Sequence, residues 1–316
     1  MSKGTILVTP RGYATYGEEA AKRLEALGYS MNINKTGKPL PRETFVEYAK
    51  EATGIIVGVD EVDGALLREC KKLKAVVKFG VGTDNIDLKV AEECGVKVGR
   101  CVGSNSNAVA ELTIGMMFAS AKYLVSSNVK VRNGGWDKPT GRELTGKTIG
   151  IIGFGNIGRQ VARMAHGIGM QVKAYDVFDI PQEVLESYDA KQCSVEDILK
   201  EADFISIHTP LTDETKNMIS TEQFAMMKDT AIIVNAARGG IIDEKALYEA
   251  LKNKVIYAAA SDVFTSEPPA QTDWVQELIH MDNFILTPHI GSRTVEAESN
   301  TVEMATNNLI NLLKEV

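Results

Sequence analysis

The stretch TIGIIGFGNIGRQ, residues 148–160, constrains the fold more than any other part of this sequence. Its apolar run 149–152 has no helical periodicity, which favours a strand buried on both faces. Gly153, Gly155 and Gly158 follow, and then the helix-like segment NIGRQVARMAHGI. A helix N-terminus offers unpaired N–H groups and partial positive charge, and glycines let a pyrophosphate approach the backbone. The stretch therefore predicts a strand–turn–helix unit that binds a dinucleotide.

A second predicted strand, QVKAY at 171–175, ends at Asp176, which lies 18 residues after Gly158. An acidic residue at a spacing of about 20 binds the adenosine ribose hydroxyls in dinucleotide-binding folds. A carboxylate there repels a 2′-phosphate, and none of the next three residues is basic. We therefore predict NAD as the cofactor in preference to NADP. The alternative is a strand–helix turn whose glycines serve packing only.

Short apolar or β-branched runs recur along the whole chain, with amphipathic helical segments such as 17–27 between them. The predicted strands are 5–9, 54–59, 74–79, 148–153, 171–175, 204–208, 231–235, 255–263 and 284–287. Strands that alternate with helices predict parallel sheets with crossover helices. The expected fold class is α/β, with two doubly wound parallel-sheet domains and a cleft between them.

The pattern predicts a discontinuous substrate-binding domain, residues 1–101 plus 292–316, because the last segment is a helix that could return to the first domain. Residues 102–291 are predicted to form an NAD-binding Rossmann domain that begins with one long helix at 107–126. The apolar part of that helix, 108–125, contains Glu111 and Lys122 and is short for a bilayer span. We interpret it as a buried helix.

Composition excludes several classes of function. The chain is 44% hydrophobic and 24% charged, with a net charge of −7 from intermixed acidic and basic residues. No basic nucleic-acid-binding patch is therefore expected. The four cysteines form no C-x-x-C pair and have no histidine cluster beside them, so we expect neither disulfides nor a metal site. The N-terminal residues show no signal-peptide pattern, and we expect a cytoplasmic protein without a membrane partner.

Three polar residues follow predicted strands of the second set. Arg238 comes after AIIVN, Glu267 lies in DVFTSEPP, and His289 follows FILT. Ligands of open α/β sheets bind beyond the carboxyl ends of the strands. An arginine could hold a carboxylate, a histidine could exchange a proton near neutral pH, and a carboxylate could orient that histidine. Each could instead be a salt-bridge, loop or turn residue, but the joint arrangement favours catalysis.

The chain resembles the D-isomer-specific 2-hydroxyacid dehydrogenase family, and within it the 3-phosphoglycerate dehydrogenase-like branch. The resemblance spans nearly the whole length. It rests on KFGVGTDNID (78–87), SNSNAVAELTIGMM (104–117), GRELTGKTIGIIGFGNIGR (141–159), HTPLTDETKNMI (208–219), NAARGGIIDEKAL (235–247), DVFTSEPP (262–269) and TPHIG (287–291). The resemblance implies a catalytic trio of Arg238, Glu267 and His289. It also implies a homodimer with the helix around 108–125 in its interface.

Site residues beyond the trio follow from the glycine stretch and from the resemblance. The predicted cofactor contacts are Gly153, Phe154, Gly155, Asn156, Ile157, Gly158, Asp176, His208, Thr209, Pro210, Thr215, Ala236, Asp262 and Gly291. The predicted substrate contacts are Lys78, Val81, Gly82, Asn105 and Arg238, with the backbone amides near Val81 and Gly82 holding the substrate carboxylate.

Lys78 stands where phosphoglycerate dehydrogenases often have Arg, and a point charge there replaces a bidentate fork. It could hold an anionic tail or be a solvated strand end. The candidate substrates are 3-phosphohydroxypyruvate, hydroxypyruvate, glyoxylate or another small 2-oxo acid. The alternative function is an NAD(H)-sensing binding protein of the corepressor type, because some relatives of that kind retain the trio.

Overall fold

A computed structural model describes residues 3–314, which divide into two compact units. The first unit comprises the chain up to Asn105 together with the segment from Arg293 onward, and the second comprises Ser106–Ser292. The described strands are β1 Thr5–Val8, β2 Ser30–Ile33, β3 Ala52–Val57, β4 Ala75–Lys78, β5 Lys97–Arg100, β6 Thr148–Ile152, β7 Gln171–Tyr175, β8 Ala190–Gln192, β9 Phe204–Ile207, β10 Ile232–Asn235, β11 Ala258–Ser261 and β12 Phe284–Leu286.

The described helices of the first unit are α1 Arg11–Tyr16, α2 Glu18–Ala26, α3 Arg42–Glu51, α4 Gly64–Glu69, α5 Leu88–Glu93 and α14 Val295–Lys314. Those of the second unit are α6 Ser106–Ala121, α7 Leu124–Arg132, α8 Asn156–Ile168, α9 Gln182–Ser187, α10 Val195–Glu201, α11 Thr221–Met226, α12 Glu244–Lys252 and α13 Asp273–Ile279.

The first unit is built on a five-stranded parallel sheet of order β2-β1-β3-β4-β5. Alternate residues of its central strands enter two separate apolar clusters, as Ile55 and Ile56 do, so both faces of the sheet are covered. Helix α14 contributes Val302 and Leu309 to one of these clusters. The C-terminal helix thus completes the core of a sheet that the N-terminal part of the chain forms.

The second unit is built on a seven-stranded parallel sheet of order β12-β11-β10-β9-β6-β7-β8. Its strands are also apolar on both faces; Ile205 belongs to one cluster and Phe204 to the other. The strand order reverses between β6 and β9, which is where doubly wound sheets bind ligands. The predicted fold class of two parallel-sheet α/β domains is confirmed.

The prediction of one continuous helix over 107–126 was wrong. Helix α6 ends at Ala121, and Tyr123 has left-handed backbone with φ of 54°. The carbonyl of Ala121 accepts a hydrogen bond from the Arg142 amide, and the Tyr123 ring packs edge-on against Tyr257 at 5.7 Å. The segment around Arg142 therefore hydrogen-bonds to the last turn of α6, where the helix would otherwise continue. Helix α7 starts in a new direction and has no buried residue.

The bend between α6 and α7 divides the longest apolar stretch of the chain into two shorter helices. Among residues 3–314, no single helix is long and apolar enough to cross a bilayer. Helices α6 and α7 reach that length and composition only when taken together, and they are bent by 62° at the break between them.

Candidate active site

The glycines after β6 have three different surroundings. Gly153 has a positive φ of 97°, and a Cβ there would lie 2.7 Å from the carbonyl carbon of His208. A Cβ on Gly158 would lie 2.1 Å from the carbonyl oxygen of Gly153. A Cβ on Gly155 would meet no atom within 4 Å. Gly153 and Gly158 are therefore required by the packing of the turn, whereas Gly155 leaves space above the start of α8.

That space lies at the N-terminus of a 13-residue helix. Gly155 is the N-cap residue of α8 and supplies no side-chain cap to the first turn. The N–H groups of a helix start and the associated partial charge favour an anion. The open space and the uncapped helix start fit a dinucleotide pyrophosphate.

Asp176 follows β7 and holds the glycine turn. Its Oδ2 accepts a hydrogen bond of 2.8 Å from the Phe154 amide, and its Oδ1 accepts one of 3.3 Å from the Phe178 amide. A carboxylate oxygen has lone pairs for more than one donor. Asp176 can therefore shape the turn and still accept ribose hydroxyls.

His208 follows β9 on the other side of the switch point. Its Nε2 lies 2.6 Å from Ser206 Oγ, and burial lowers the pKa of the imidazole to about 3. Among the described residues, its buried Nδ1 and the buried Oγ1 of Thr209 have no hydrogen-bond partner. Buried polar atoms without partners are costly in a folded protein. These two atoms fit the hydroxyl or amide groups of a bound dinucleotide.

The loop after Thr209 is closed by Thr215. The Thr215 hydroxyl donates to the Pro210 carbonyl at 2.7 Å, and the Thr212 amide donates to the Thr215 hydroxyl at 2.7 Å. Thr215 and Pro210, both predicted cofactor contacts, thus shape one loop. Ala236, another predicted contact, is a buried residue directly after β10.

Two members of the predicted trio are in direct contact. The Glu267 Oε2 lies 2.9 Å from His289 Nδ1, and Glu267 Oε1 accepts a 3.1 Å hydrogen bond from the Phe264 amide. An ionised carboxylate only accepts hydrogen bonds, so Nδ1 carries the proton. Nε2 of His289 is then the nitrogen left for proton exchange. The structure thus brings two of the residues named from the sequence, Glu267 and His289, into contact.

Arg238 lies in the turn after β10, in the same unit. Asn235 shapes this turn, because its Nδ2 donates to the Arg238 carbonyl at 2.9 Å and its Oδ1 accepts from the Ala237 amide at 3.0 Å. The next residue, Gly239, is so close to the Phe264–Thr265 backbone that a Cβ would lie 2.2 Å from the Phe264 carbonyl carbon. The turn of Arg238 and the loop of Glu267 are therefore packed together.

Asp262 is almost fully buried and organises the backbone around His289. Its Oδ1 accepts from the Thr287 hydroxyl at 2.5 Å and from the Ile290 amide at 2.8 Å, and its Oδ2 accepts from the Gly291 amide at 2.7 Å. His289 has a positive φ of 53°, a conformation that non-glycine residues seldom adopt. The bonds to Asp262 stabilise this turn and fix the direction of the imidazole.

The other predicted substrate contacts belong to the first unit. Lys78 ends β4, and its Nζ donates to the Gly58 carbonyl at 2.6 Å and to Asn85 Oδ1 at 2.7 Å. Val81 and Gly82 lie in the segment between Lys78 and Asn85. Asn105 is the last residue of this part of the unit, and its buried Oδ1 has no partner within residues 3–314.

Sequence reasoning missed several residues that support the site, namely Ser206, Asn235, Glu244 and Thr287. Their signal was weak, because each is a common polar residue and its partner is distant in sequence or hidden in a turn. No group of three or more His, Cys, Asp or Glu side chains within residues 3–314 could hold a metal ion.

The uncapped helix start at the switch point and the imidazole–carboxylate pair after β12 lie in the same unit, an arrangement typical of dinucleotide-dependent dehydrogenases. Comparison with known sequences identifies the family within this class of enzymes. A model of the family described as "D-isomer specific 2-hydroxyacid dehydrogenase, NAD binding domain" matches residues 114–291. The chain belongs to this family, and it is an NAD-dependent oxidoreductase. The two-domain fold and the cofactor that the sequence predicts are both confirmed.

Relatives with similar sequences are named as enzymes. The chain is 43% identical over 285 residues to the D-3-phosphoglycerate dehydrogenase of Methanocaldococcus jannaschii. This alignment covers 89% of the chain but only 53% of the relative. It is 41% identical over 274 residues to the hydroxypyruvate reductase of Thermotoga maritima, with 84% of this chain and 86% of the relative covered. The chain thus spans about half of the first relative and most of the second.

A solved structure is also similar over nearly the whole chain. It is the D-lactate dehydrogenase of Aquifex aeolicus, described as complexed with NAD and lactic acid. The TM-score is 0.83 at 30% identity, and the alignment covers 98% of this chain and 97% of the other. None of these three proteins is named as a corepressor, so the comparisons give the alternative function no support.

Proposed function

We propose that the protein reduces a small 2-oxo acid to the D-2-hydroxy acid, and catalyses the reverse reaction, with His289 as the proton donor and acceptor. The observation that carries this proposal is the 2.9 Å contact between Glu267 and His289 in the unit that also holds the glycine turn. The nicotinamide, when bound, supplies or accepts the hydride.

The residues of the chain divide the remaining work. The Arg238 guanidinium offers paired N–H donors that suit a carboxylate and would polarise the adjacent carbonyl. His289 Nε2 gives a proton to the developing alkoxide oxygen during reduction and takes one from the hydroxyl during oxidation. Glu267 keeps the imidazole in one orientation, with Nδ1 as the hydrogen-bond donor and Nε2 left for the substrate.

We propose further that unphosphorylated acids such as hydroxypyruvate and glyoxylate are preferred over 3-phosphohydroxypyruvate. The support is the position of Lys78, whose ammonium group donates to Gly58 and Asn85. The bond to Asn85 connects the two ends of the segment that contains Val81 and Gly82, the proposed carboxylate-binding amides, and the bond to Gly58 connects that segment to the end of β3. Lys78 in this role shapes the carboxylate site rather than providing a charge for a phosphate.

The test is NADH oxidation with hydroxypyruvate, glyoxylate and 3-phosphohydroxypyruvate by the natural protein and by Lys78→Met. The proposal predicts that kcat/KM falls by a similar factor for all three acids. A loss confined to 3-phosphohydroxypyruvate would show that Lys78 binds the phosphate. Lys89→Met, on the exposed side of α5, is the matched control. Tight NADH binding without turnover of any acid would favour the sensor function.

We also propose that the protein is a homodimer that uses the region around α6 and α7. The support is a set of exposed apolar side chains on α7, which are Leu124, Val125, Val129 and Val131. Exposed apolar patches mark interaction surfaces. Light scattering should give twice the chain mass for the natural protein and the chain mass for Val125→Glu/Val129→Glu. A monomeric natural protein would refute the proposal.

A further inference from the structure

Glu244 is bound to the loop that carries Glu267. Glu244 is the first residue of α12, and its Oε1 accepts hydrogen bonds from both the amide and the hydroxyl of Thr265, at 2.6 and 2.7 Å. Thr265 is separated from Glu267 by a single residue. Glu244 is thus linked to His289 by its hydrogen bonds to Thr265, by the backbone from Thr265 to Glu267, and by the contact between Glu267 and His289.

Glu244 is not needed to cap the N-terminus of α12, so capping does not explain why its carboxylate is held in this position. Asp243 is the N-cap residue, and its Oδ1 already accepts from the Lys245 and Ala246 amides at 3.1 Å each. Glu244 is partly buried, and this burial raises the pKa of its carboxyl group. Burying a carboxylate is costly unless it is hydrogen-bonded, and the two Thr265 donors provide that bonding.

The loop bound by Glu244 has little freedom on its other side. Gly239, next to Arg238, is packed directly on the Phe264–Thr265 backbone. The Phe264 amide in turn donates to Glu267 Oε1 at 3.1 Å. A change in the position of Thr265 would therefore reach the Glu267 carboxylate through a single adjacent residue.

We propose that Glu244 is a positioning residue for the Glu267–His289 pair. It fixes Thr265 from the start of α12 and so holds the Glu267 carboxylate at hydrogen-bond distance from His289 Nδ1. This proposal deepens the proposed function and rests on it. Under this proposal Glu244 affects the reaction without touching the imidazole, because it acts through the loop that contains Thr265 and Glu267.

The first test compares Glu244→Ala with Glu244→Gln. The alanine variant removes the acceptor and should lower kcat by up to about 100-fold, because a displacement near 1 Å at reacting groups has effects of that size. The glutamine variant keeps an amide oxygen that accepts both Thr265 donors, so most of kcat should return. The dissociation constant for NADH should be unchanged in both. Glu249→Ala, on the exposed side of the same helix, is the control and should keep full activity.

A double-mutant cycle separates positioning from a general loss of stability. If Glu244 acts through Glu267, Glu244→Ala should cost almost nothing once Glu267 is alanine. Equal losses of kcat in the two backgrounds would overturn the proposal. So would a Glu244→Ala protein with a lower melting temperature but unchanged kcat at a temperature where it is folded.

A readout without turnover keeps the two proposals distinguishable. The chain has four histidines, so the imidazole resonances can be resolved by NMR, and His289→Ala identifies the signal of His289. Glu244→Ala should shift that signal, and Glu249→Ala should not. An unmoved signal would refute the role of Glu244. A shifted signal in a protein that turns over no 2-oxo acid would refute only the proposed function.

Discussion

Two histidines of the candidate site, His208 and His289, have opposite surroundings. His208 lies against Ser206, and burial disfavours its charged form. His289 is exposed, and its Nδ1 lies 2.9 Å from the Glu267 carboxylate, which orients the imidazole. The first is suited to remain neutral in a binding site, and the second is suited to carry a proton in both directions.

Replacing His289 by alanine should leave NADH binding intact and lower the rate of reduction by ~10²–10⁴-fold, the usual contribution of general acid–base catalysis. In the natural protein, reduction should slow as pH rises and oxidation should accelerate, because one needs the protonated imidazole and the other the neutral form. Initial rates in both directions across pH test this. His280→Ala, at the end of α13, is the control. Identical pH profiles in the two directions would contradict the role.

The neutral state of His208 makes stability depend on pH. Its pKa is lowered from 6.5 to about 3 in the folded chain, so the unfolded chain binds more protons between these values. The free energy of unfolding should therefore fall as pH drops below 6.5, by at most roughly 1.4 kcal/mol per pH unit from this group. Urea unfolding measures this: the free energy of unfolding should change less between pH 7 and pH 5 in His208→Gln than in the natural protein. His166→Gln should behave like the natural protein; an equal difference in all three would be contrary to expectation.

At the scale of elements, the sequence predicts the central strands and the edge strand β12, but it does not predict the other three edge strands. Strands β6 and β7 and helix α8 agree closely with the apolar runs and glycines that predict them. Strands β2, β5 and β8, which the sequence analysis missed, are all at sheet edges. Their segments SMNI, KVGR and AKQ are partly exposed and lack a continuous apolar run. An edge strand pairs on one side only, so its hydrophobic pattern is weak.

The break between α6 and α7 has a similar cause. Residues 117–127, on either side of the break, contain neither glycine nor proline, so local propensity gives no signal that the helix ends here. The helix ends because the Arg142 amide, 21 residues after Ala121, bonds its carbonyl. The contact of Glu244 with Thr265 likewise cannot be predicted from a local pattern, because it joins residues 21 positions apart.

The turn after β6 offers a matched pair of glycine variants. Gly158→Ala places a methyl group against the Gly153 carbonyl and should lower the free energy of unfolding by about 1–3 kcal/mol, as overpacking does. Gly155→Ala meets no protein atom within 4 Å and should keep its stability but bind NADH more weakly. Urea unfolding and NADH fluorescence titration measure the two effects. A stable Gly158→Ala protein with normal NADH binding would argue against this account of the turn.

At the scale of the whole molecule, cofactor binding should be visible in the second unit. NADH at a hundred times its dissociation constant should stabilise the protein by about 2.7 kcal/mol through mass action. Hydrogen exchange should slow most at the amides of residues 153–157, where the turn meets α8. NADPH at the same concentration should have a smaller effect, because Asp176 repels a 2′-phosphate. Equal protection by the two nucleotides would contradict the predicted preference for NAD.

The sequence indicates part of the candidate site but not its supporting contacts. Arg238, Glu267 and His289 each follow a strand of a parallel sheet, and this placement pointed to them before any distance was known. What the sequence could not supply was the buried support, such as the three hydrogen bonds of Asp262 or the Ser206 contact of His208. Those contacts depend on how loops from separate strands pack, which no local pattern encodes.

The return of α14 to the first sheet has a consequence for synthesis on the ribosome. Domains generally fold as units as the chain emerges, the N-terminal one first. Here residues 5–100 precede the second unit, but Ile6, Val8 and Val77 have apolar partners on α14, which follows that unit. The second unit is continuous and can fold as soon as Ser292 has left the exit tunnel. Of the two units, the one whose synthesis begins first therefore completes its core last, after the whole second unit has been made.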